Sequence, residues 1–148
     1  MSRWLGIDHG SKRVGVAVGE ESIAIAAPVT VLNGAEFEHI LDEIVRICDE
    51  HGASGVVVGW PLNMDDTEGP QGKITRAFAL QLADRTDLDV RLWDERLTSF
   101  QADQALSQTF TRKKKKARQD AIAAAVILQD FLSAGGPESA PRPDEITD

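Results

Sequence analysis

"RWLGIDHGSKRVGVAVG", residues 3–19, decides the reading of the fold. Two apolar runs, RWLGID and RVGVAVG, flank the polar HGSK, where Gly10 and Ser11 supply turn chemistry, so the chain opens with a β-hairpin. Working outward, "IAIAAPVTVLN" (23–33) predicts a third strand, with Pro28 marking an edge position or an end of regular pairing. "EFEHILDEIVRICDEHG" (36–52) has helical spacing and stops at Gly52. "SGVVVGW" (54–60) is the continuous apolar run that a strand buried on both faces needs, and it ends sharply on the polar loop "PLNMDDTEGPQG" (61–72). "KITRAFALQLADRT" (73–86) restores helical period and "DVRLWDE" (89–95) restores strand character. "TSFQADQALSQ" (98–108) predicts a further helix, with Thr98 and Gln101 as its capping box. "QDAIAAAVILQDFLSAGG" (119–136) predicts the last helix, stopped by Gly135, Gly136 and Pro137. The order is that of an α/β fold, a mixed sheet with helices packed on both faces.

The bulk properties agree with one soluble domain of 148 residues, 42% hydrophobic and 27% charged. Cys48 is the one cysteine and falls on the apolar stripe Phe37, Ile40, Leu41, Ile44, Cys48, which predicts core packing. An internal disulfide and a Cys-rich zinc site are excluded, and a reducing cytosol fits. The start, "MSRWLGIDHG", has neither the charged-then-apolar pattern of a secretory signal nor a membrane span, so a cytoplasmic protein is expected.

Charge is unevenly spread. The chain carries 24 acidic against 16 basic side chains, a net charge of -8, yet six of the seven residues in "RKKKKAR" (112–118) are basic. The segment "PESAPRPDEITD" (137–148) is rich in proline and acid, and is expected to be a disordered tail beyond a domain spanning 1–136.

Four acids stand at the ends of predicted elements: Asp8 after the first strand, Asp94 and Glu95 after the last, and Asp120 at the start of the last helix. Alternation along "VRLWDE" places Val90, Leu92 and Asp94 on one face and Arg91, Trp93 and Glu95 on the other, so one of the two neighbouring acids enters a given cleft. Asp120 shares a helix face with Ala123, Ala124, Ile127, Leu128 and Phe131, and the alanines allow that helix to lie close to the sheet. Each acid alone has an ordinary explanation: a turn residue for Asp8, a salt-bridge partner for Glu95, an N-cap for Asp120. Taken together, converging acids repel unless a cation neutralises them, and oxygen-only ligand sets suit Mg²⁺ or Mn²⁺.

"GIDHGSKRVGVAV", "VVVGWPLNMDDTEGPQG", "DERLTSFQA" and "RKKKKARQDAIAAAVILQ" resemble, in order and spacing, the four signature segments of the YqgF family, and the resemblance runs to about Gly136. It implies a ribonuclease H-like fold and a nuclease described either as a Holliday junction resolvase or as an enzyme maturing precursor 16S ribosomal RNA. The family's catalytic acids fall on Asp8, Glu95 and Asp120, implied here as ligands of Mg²⁺ or Mn²⁺ that promote phosphodiester hydrolysis. Asp66 stands where family members commonly have glycine after "NMD", and Asp tolerates the left-handed backbone such a turn needs. Trp60 and His9 fall where the family varies, and neither is assigned a catalytic role.

Lys12 and Arg13, just past the hairpin turn, are candidates for contacting substrate phosphates, with exposed turn charges as the plainer reading. Arg112, Lys113, Lys114, Lys115, Lys116 and Arg118 are expected to form a mobile clamp on a nucleic-acid backbone, precursor rRNA or branched DNA. Two other readings stand beside the nuclease: an RNA-binding ribosome-assembly factor without catalysis, and a nucleotide-binding protein, since "GIDHGS" also resembles the first phosphate loop of sugar kinases and actin-like ATPases. The second would need two lobes of core, and no GxxxxGK motif is present. His9, His39 and His51 lie in no motif that pairs them with a nucleophile. No membrane partner is expected, and the oligomeric state stays open between monomer and weak dimer.

Overall fold

The structure is a computed structural model and describes residues 2–10, 12–33, 37–97 and 112–146. Five strands form one sheet in the order β3-β2-β1-β4-β5. They are β1 (Arg3–His9), β2 (Arg13–Glu20), β3 (Ile25–Asn33), β4 (Ala53–Trp60) and β5 (Asp89–Asp94). The opening hairpin forms as expected, with β1 and β2 antiparallel and the backbone N–H of Gly10 donating to the Arg13 carbonyl at 3.0 Å across the turn. β3 is the antiparallel edge, and Pro28 coincides with a register shift between Val16 and Ala17 of its neighbour, where a missing N–H costs least. β1/β4 and β4/β5 are parallel, which demands crossover connections; α1 (Phe37–His51) and α2 (Pro70–Arg85) supply them. α2 begins three residues ahead of the expected helix, because Pro70 suits a first helical turn.

Period-two alternation sorts the strand residues onto two faces. Leu5, Ile7, Val14, Val16, Val56, Val58, Val90 and Leu92 pack with α1 and α2, and Cys48 belongs to this core, where burial pushes its thiol up to about 12. Trp4, Ala17, Val57 and Trp93 face the other way, onto α3 (Arg112–Ser133). There Phe131 lies 5.0 Å from the Trp4 ring and 6.2 Å, edge-on, from Trp93.

α3 departs from its predicted limits. Its backbone runs unbroken through Arg112–Gln119, so the basic block is helical rather than a mobile connection, and Asp120 lies well inside the helix rather than capping it. Lys, Arg, Ala and Gln are good helix formers and no Gly or Pro interrupts 112–133, while like-charge repulsion along a helix costs only tenths of a kcal/mol per pair. The buried arc is also broader than the face expected: Ala121, Ile122, Ala125 and Val126 are buried too, and Ala123 only partly.

The expected disordered tail is a second correction. Residues 136–146 carry two 3₁₀ turns, Gly136–Ser139 and Pro143–Glu145, and lie along β5, which is otherwise an open edge. The Leu92 N–H donates to the Pro141 carbonyl at 2.8 Å, and Arg91 Nη1 donates to the carbonyls of Pro137 and Ala140 at 2.8 and 2.9 Å. Ala140 and Pro143 are buried. Composition argued for disorder, but this segment docks through backbone carbonyls that satisfy donors on an edge strand and through Ala140, Pro143 and Ile146, which pack against the body of the domain. The predicted helix 98–108, with Thr98 and Gln101, lies outside the described residues, as does Ser11.

Candidate active site

The sheet register brings the acids to one end of one face. Asp8, the penultimate residue of β1, lies on the side of Trp4 and Gly6, opposite Gly15 of β2. α3 crosses there at very short range: a Cβ added to Gly15 would lie 1.8 Å from the Asp120 carbonyl oxygen. Glycine at 15 is therefore what lets Asp120 sit beside Asp8. Replacing it with alanine is expected to cost about 1–3 kcal/mol in urea denaturation and to impair the site, because helix backbone, not a flexible side chain, must move. Unchanged stability would show that α3 is not pinned there.

Glu95 follows β5 and opens a short 3₁₀ turn, Glu95–Leu97. Its side chain lies over Gly59 of the adjacent strand, where an added Cβ would come within 2.6 Å of Glu95 Oε1 and 2.5 Å of Ile127 Cδ1 of α3. The two acids of "DE" separate as alternation required. Asp94 turns away to Arg96, whose hydrogen bond holds its carboxyl below the usual carboxylate range, while Glu95 joins Asp8 on the α3 face.

Electrostatics bind the three acids into one group. Burial, reinforced by the charge of Asp120, pushes the Asp8 carboxyl up to about 6. Burial, then the charges of Asp8 and Asp94, pushes Glu95 up to about 7. Among the described residues neither forms an ion pair; the neighbouring Arg96 binds Asp94 and Asp66 instead of Glu95, at 2.7 and 2.8 Å. Asp120 pairs with Arg13, Nε to Oδ2, at 2.9 Å. No three acids or imidazoles among the described residues close around a single point in this arrangement. The donor set is nonetheless the right kind for a hard divalent cation: carboxylate oxygens only, two of them half-buried with their ionised forms disfavoured.

Of the expected phosphate contacts, Lys12 is exposed in the hairpin turn and Arg13 is exposed at the start of β2, on the same end as Asp8. Arg112, Lys113, Lys114, Lys115, Lys116 and Arg118 occupy the helix turns leading into Asp120.

Arg96 escaped the reading of the sequence. Besides its two ion pairs, its Nη1 donates to the Asn63 carbonyl at 2.9 Å, tying the loop after β4 to the residue beside Glu95. Asp66 in that loop adopts φ of 71°, the left-handed conformation anticipated for it. The signal was present in the adjacency of Glu95 and Arg96 to an acid-rich loop, but nothing local said which acid the arginine would take. Trp60 and His9 have structural partners: Trp60 Nε1 donates to Glu68 at 2.9 Å, and His9 stacks on Phe78 at 4.2 Å.

An antiparallel β3-β2-β1 unit continued by parallel β4 and β5, with acids ending β1 and β5 and a third on the covering helix, defines a ribonuclease H-like fold. Two solved structures share it. T. thermophilus RuvC in complex with Holliday junction substrate aligns at a TM-score of 0.62 with 14% identity, over 95% of this chain and 98% of that one. Fowlpox virus resolvase, solved with substrate Holliday junction DNA, aligns at 0.57 with 11% identity, over 89% and 97%. The chain belongs to the RuvX (YqgF) family of nucleases: the family model described as "RuvX: Holliday junction resolvase" matches residues 2–134. Relatives named "Putative pre-16S rRNA nuclease" cover most of it. One from Chloroflexus aurantiacus is 42% identical over 131 residues, 88% of this chain and 86% of its own length. One from Opitutus terrae is 41% identical over 147 residues, 97% and 99%.

Proposed function

We propose that this protein is a metal-dependent endonuclease that hydrolyses phosphodiester bonds in precursor 16S ribosomal RNA, using Asp8, Glu95 and Asp120 as its catalytic acids. The observation that carries this reading is that carboxylates from β1, the turn after β5 and α3 lie in one another's electrostatic field, Asp120 acting on Asp8 and Asp8 on Glu95, with burial driving the last two up in pKa. Fold alone does not require such an arrangement, and repelling acids destabilise unless they serve a charge.

Mg²⁺ or Mn²⁺ held by these acids would supply positive charge to stabilise the phosphoryl oxygens as negative charge develops on them. The chain's own residues do the rest. Asp8 and Glu95 present ionised oxygens from rigid strand ends, and Gly15 and Gly59 leave the room they and Asp120 occupy. Arg96 fixes the loop 61–69 beside Glu95. Lys12 and the basic turns of α3 engage the nucleic-acid backbone, while the acidic remainder of the surface discourages binding elsewhere. Among the described residues no helix is long and apolar enough to cross a membrane, and a cytoplasmic setting with its RNA substrate fits.

RNA is favoured over branched DNA because the relatives that align along nearly the whole chain are named for precursor 16S rRNA. Incubation with Mn²⁺ and two labelled substrates, a precursor 16S transcript and a four-way DNA junction, tests the choice. Discrete cuts in the transcript are expected; cuts confined to the junction would reverse the substrate assignment, and binding without cuts in either would favour an assembly factor.

The basic turns of α3 give a separate prediction. Replacing Lys113, Lys114, Lys115 and Lys116 by alanine should lower the slope of log K against log[salt] for RNA by up to roughly 3 units, at about 0.7 per contact for single strands. Thermal stability should hold, since alanine preserves the helix. An unchanged slope would remove these lysines from the interface.

A further inference from the structure

Of the three acids, Asp120 alone has a cationic partner among the described residues, and that partner stands in the site itself. Arg13 opens β2, so its backbone is fixed by the sheet and by the Gly10–Arg13 hydrogen bond that closes the hairpin turn. Gly15, two residues on, holds the α3 backbone at Asp120 against the same strand. The guanidinium therefore reaches Asp120 from a fixed point, Nε to Oδ2 at 2.9 Å, while its side chain stays 53% exposed and that of Asp120 28% exposed.

Two properties of this pair matter. Partly exposed ion pairs contribute about 0.2–1 kcal/mol, so a divalent cation among three carboxylates can displace the arginine. A guanidinium fork also fits carboxylate and phosphate equally well, so the displaced group has a use on a nucleic-acid backbone. Asp8 and Glu95, by contrast, hold no ion pair among the described residues and are left to a cation from solution.

We propose that Arg13 is a resident counter-cation for Asp120: it competes with the divalent ion for that carboxylate and, once displaced, is handed to a phosphate of the nucleic acid. The inference rests on the nuclease reading above and adds a coupling to it. Metal and nucleic acid then favour each other's binding, because each captures one half of a pair that neither needs intact.

Mn²⁺ titration of the full chain without nucleic acid, followed by the EPR signal of the free ion, tests this. Arg13→Gln should bind Mn²⁺ about 2- to 5-fold tighter than wild type, the fold-change that loss of such a pair corresponds to. Arg13→Lys, which keeps a competing cation, should stay near wild type, and Arg13→Gln should have no effect in an Asp120→Asn background. If Arg13 merely ordered Asp120 for the metal, Arg13→Gln would bind Mn²⁺ more weakly, and that result, or an unchanged affinity, overturns the proposal while leaving the nuclease reading intact. No Mn²⁺ binding by any variant overturns the metal site itself, and the inference with it.

Discussion

Asp8→Asn, Glu95→Gln and Asp120→Asn are each expected to lower metal-dependent cleavage by at least about a thousandfold while the chain stays folded. The three side chains come from separate elements, β1, the turn after β5, and α3, yet each lies in the electrostatic field of another: Asp120 acts on Asp8, and Asp8 on Glu95. Groups that jointly hold a charge act as a unit, so any two substitutions combined should cost little more than one. Single-turnover rates on labelled RNA give the losses, and circular dichroism checks the fold. Near-normal activity in one variant removes that acid from the centre.

Two of these substitutions, Asp8→Asn and Glu95→Gln, should stabilise the metal-free protein at pH 8. Asp8 and Glu95 titrate near 6 and 7 in the folded chain against ordinary values of 3.8 and 4.5, so the fold favours their protonated forms. That contribution is complete below about pH 4 and is lost as pH rises through 6 and 7. At about 1.36 kcal/mol per unit, ionising either carboxyl costs the fold about 3 kcal/mol, part of the Glu95 cost coming from the charge of Asp8. Asp8→Asn and Glu95→Gln should therefore recover about that much in urea denaturation at pH 8 and little at pH 4.5. Added Mn²⁺ should also stabilise wild type, by about 2.7 kcal/mol at 100 times its Kd. A wild-type stability flat between pH 4.5 and 8 would contradict the burial assigned to these acids.

Much of this architecture was legible in local pattern. The hairpin of 3–19, the buried run 54–60 and the separation of Asp94 from Glu95 all follow from period-two alternation, which the sheet enforces residue by residue. Alanine spacing announced the close approach of α3, and Asp66 announced its left-handed turn. What escaped depended on partners remote in sequence. The segment after Gly136 looks disordered because it is poor in apolar side chains, but its carbonyls meet Arg91 and Leu92 on an edge strand, which no local pattern records. The basic block reads as a solvated run until one notes that its residues are also helix formers continuous with a buried helix. The Arg13–Asp120 pair needs both the β1–β2 register and the placement of α3, two tertiary facts at once.

The most direct test of the central claim, that Asp8, Glu95 and Asp120 form one metal centre, is an anomalous difference map from crystals of the full chain grown with millimolar Mn²⁺. The expected result is a peak bonded to the Asp8 carboxylate and to Glu95 or Asp120, with Arg13 released from Asp120. Mn²⁺ bound only elsewhere, with Asp120 still paired to Arg13 and Asp8 and Glu95 bare, would contradict it.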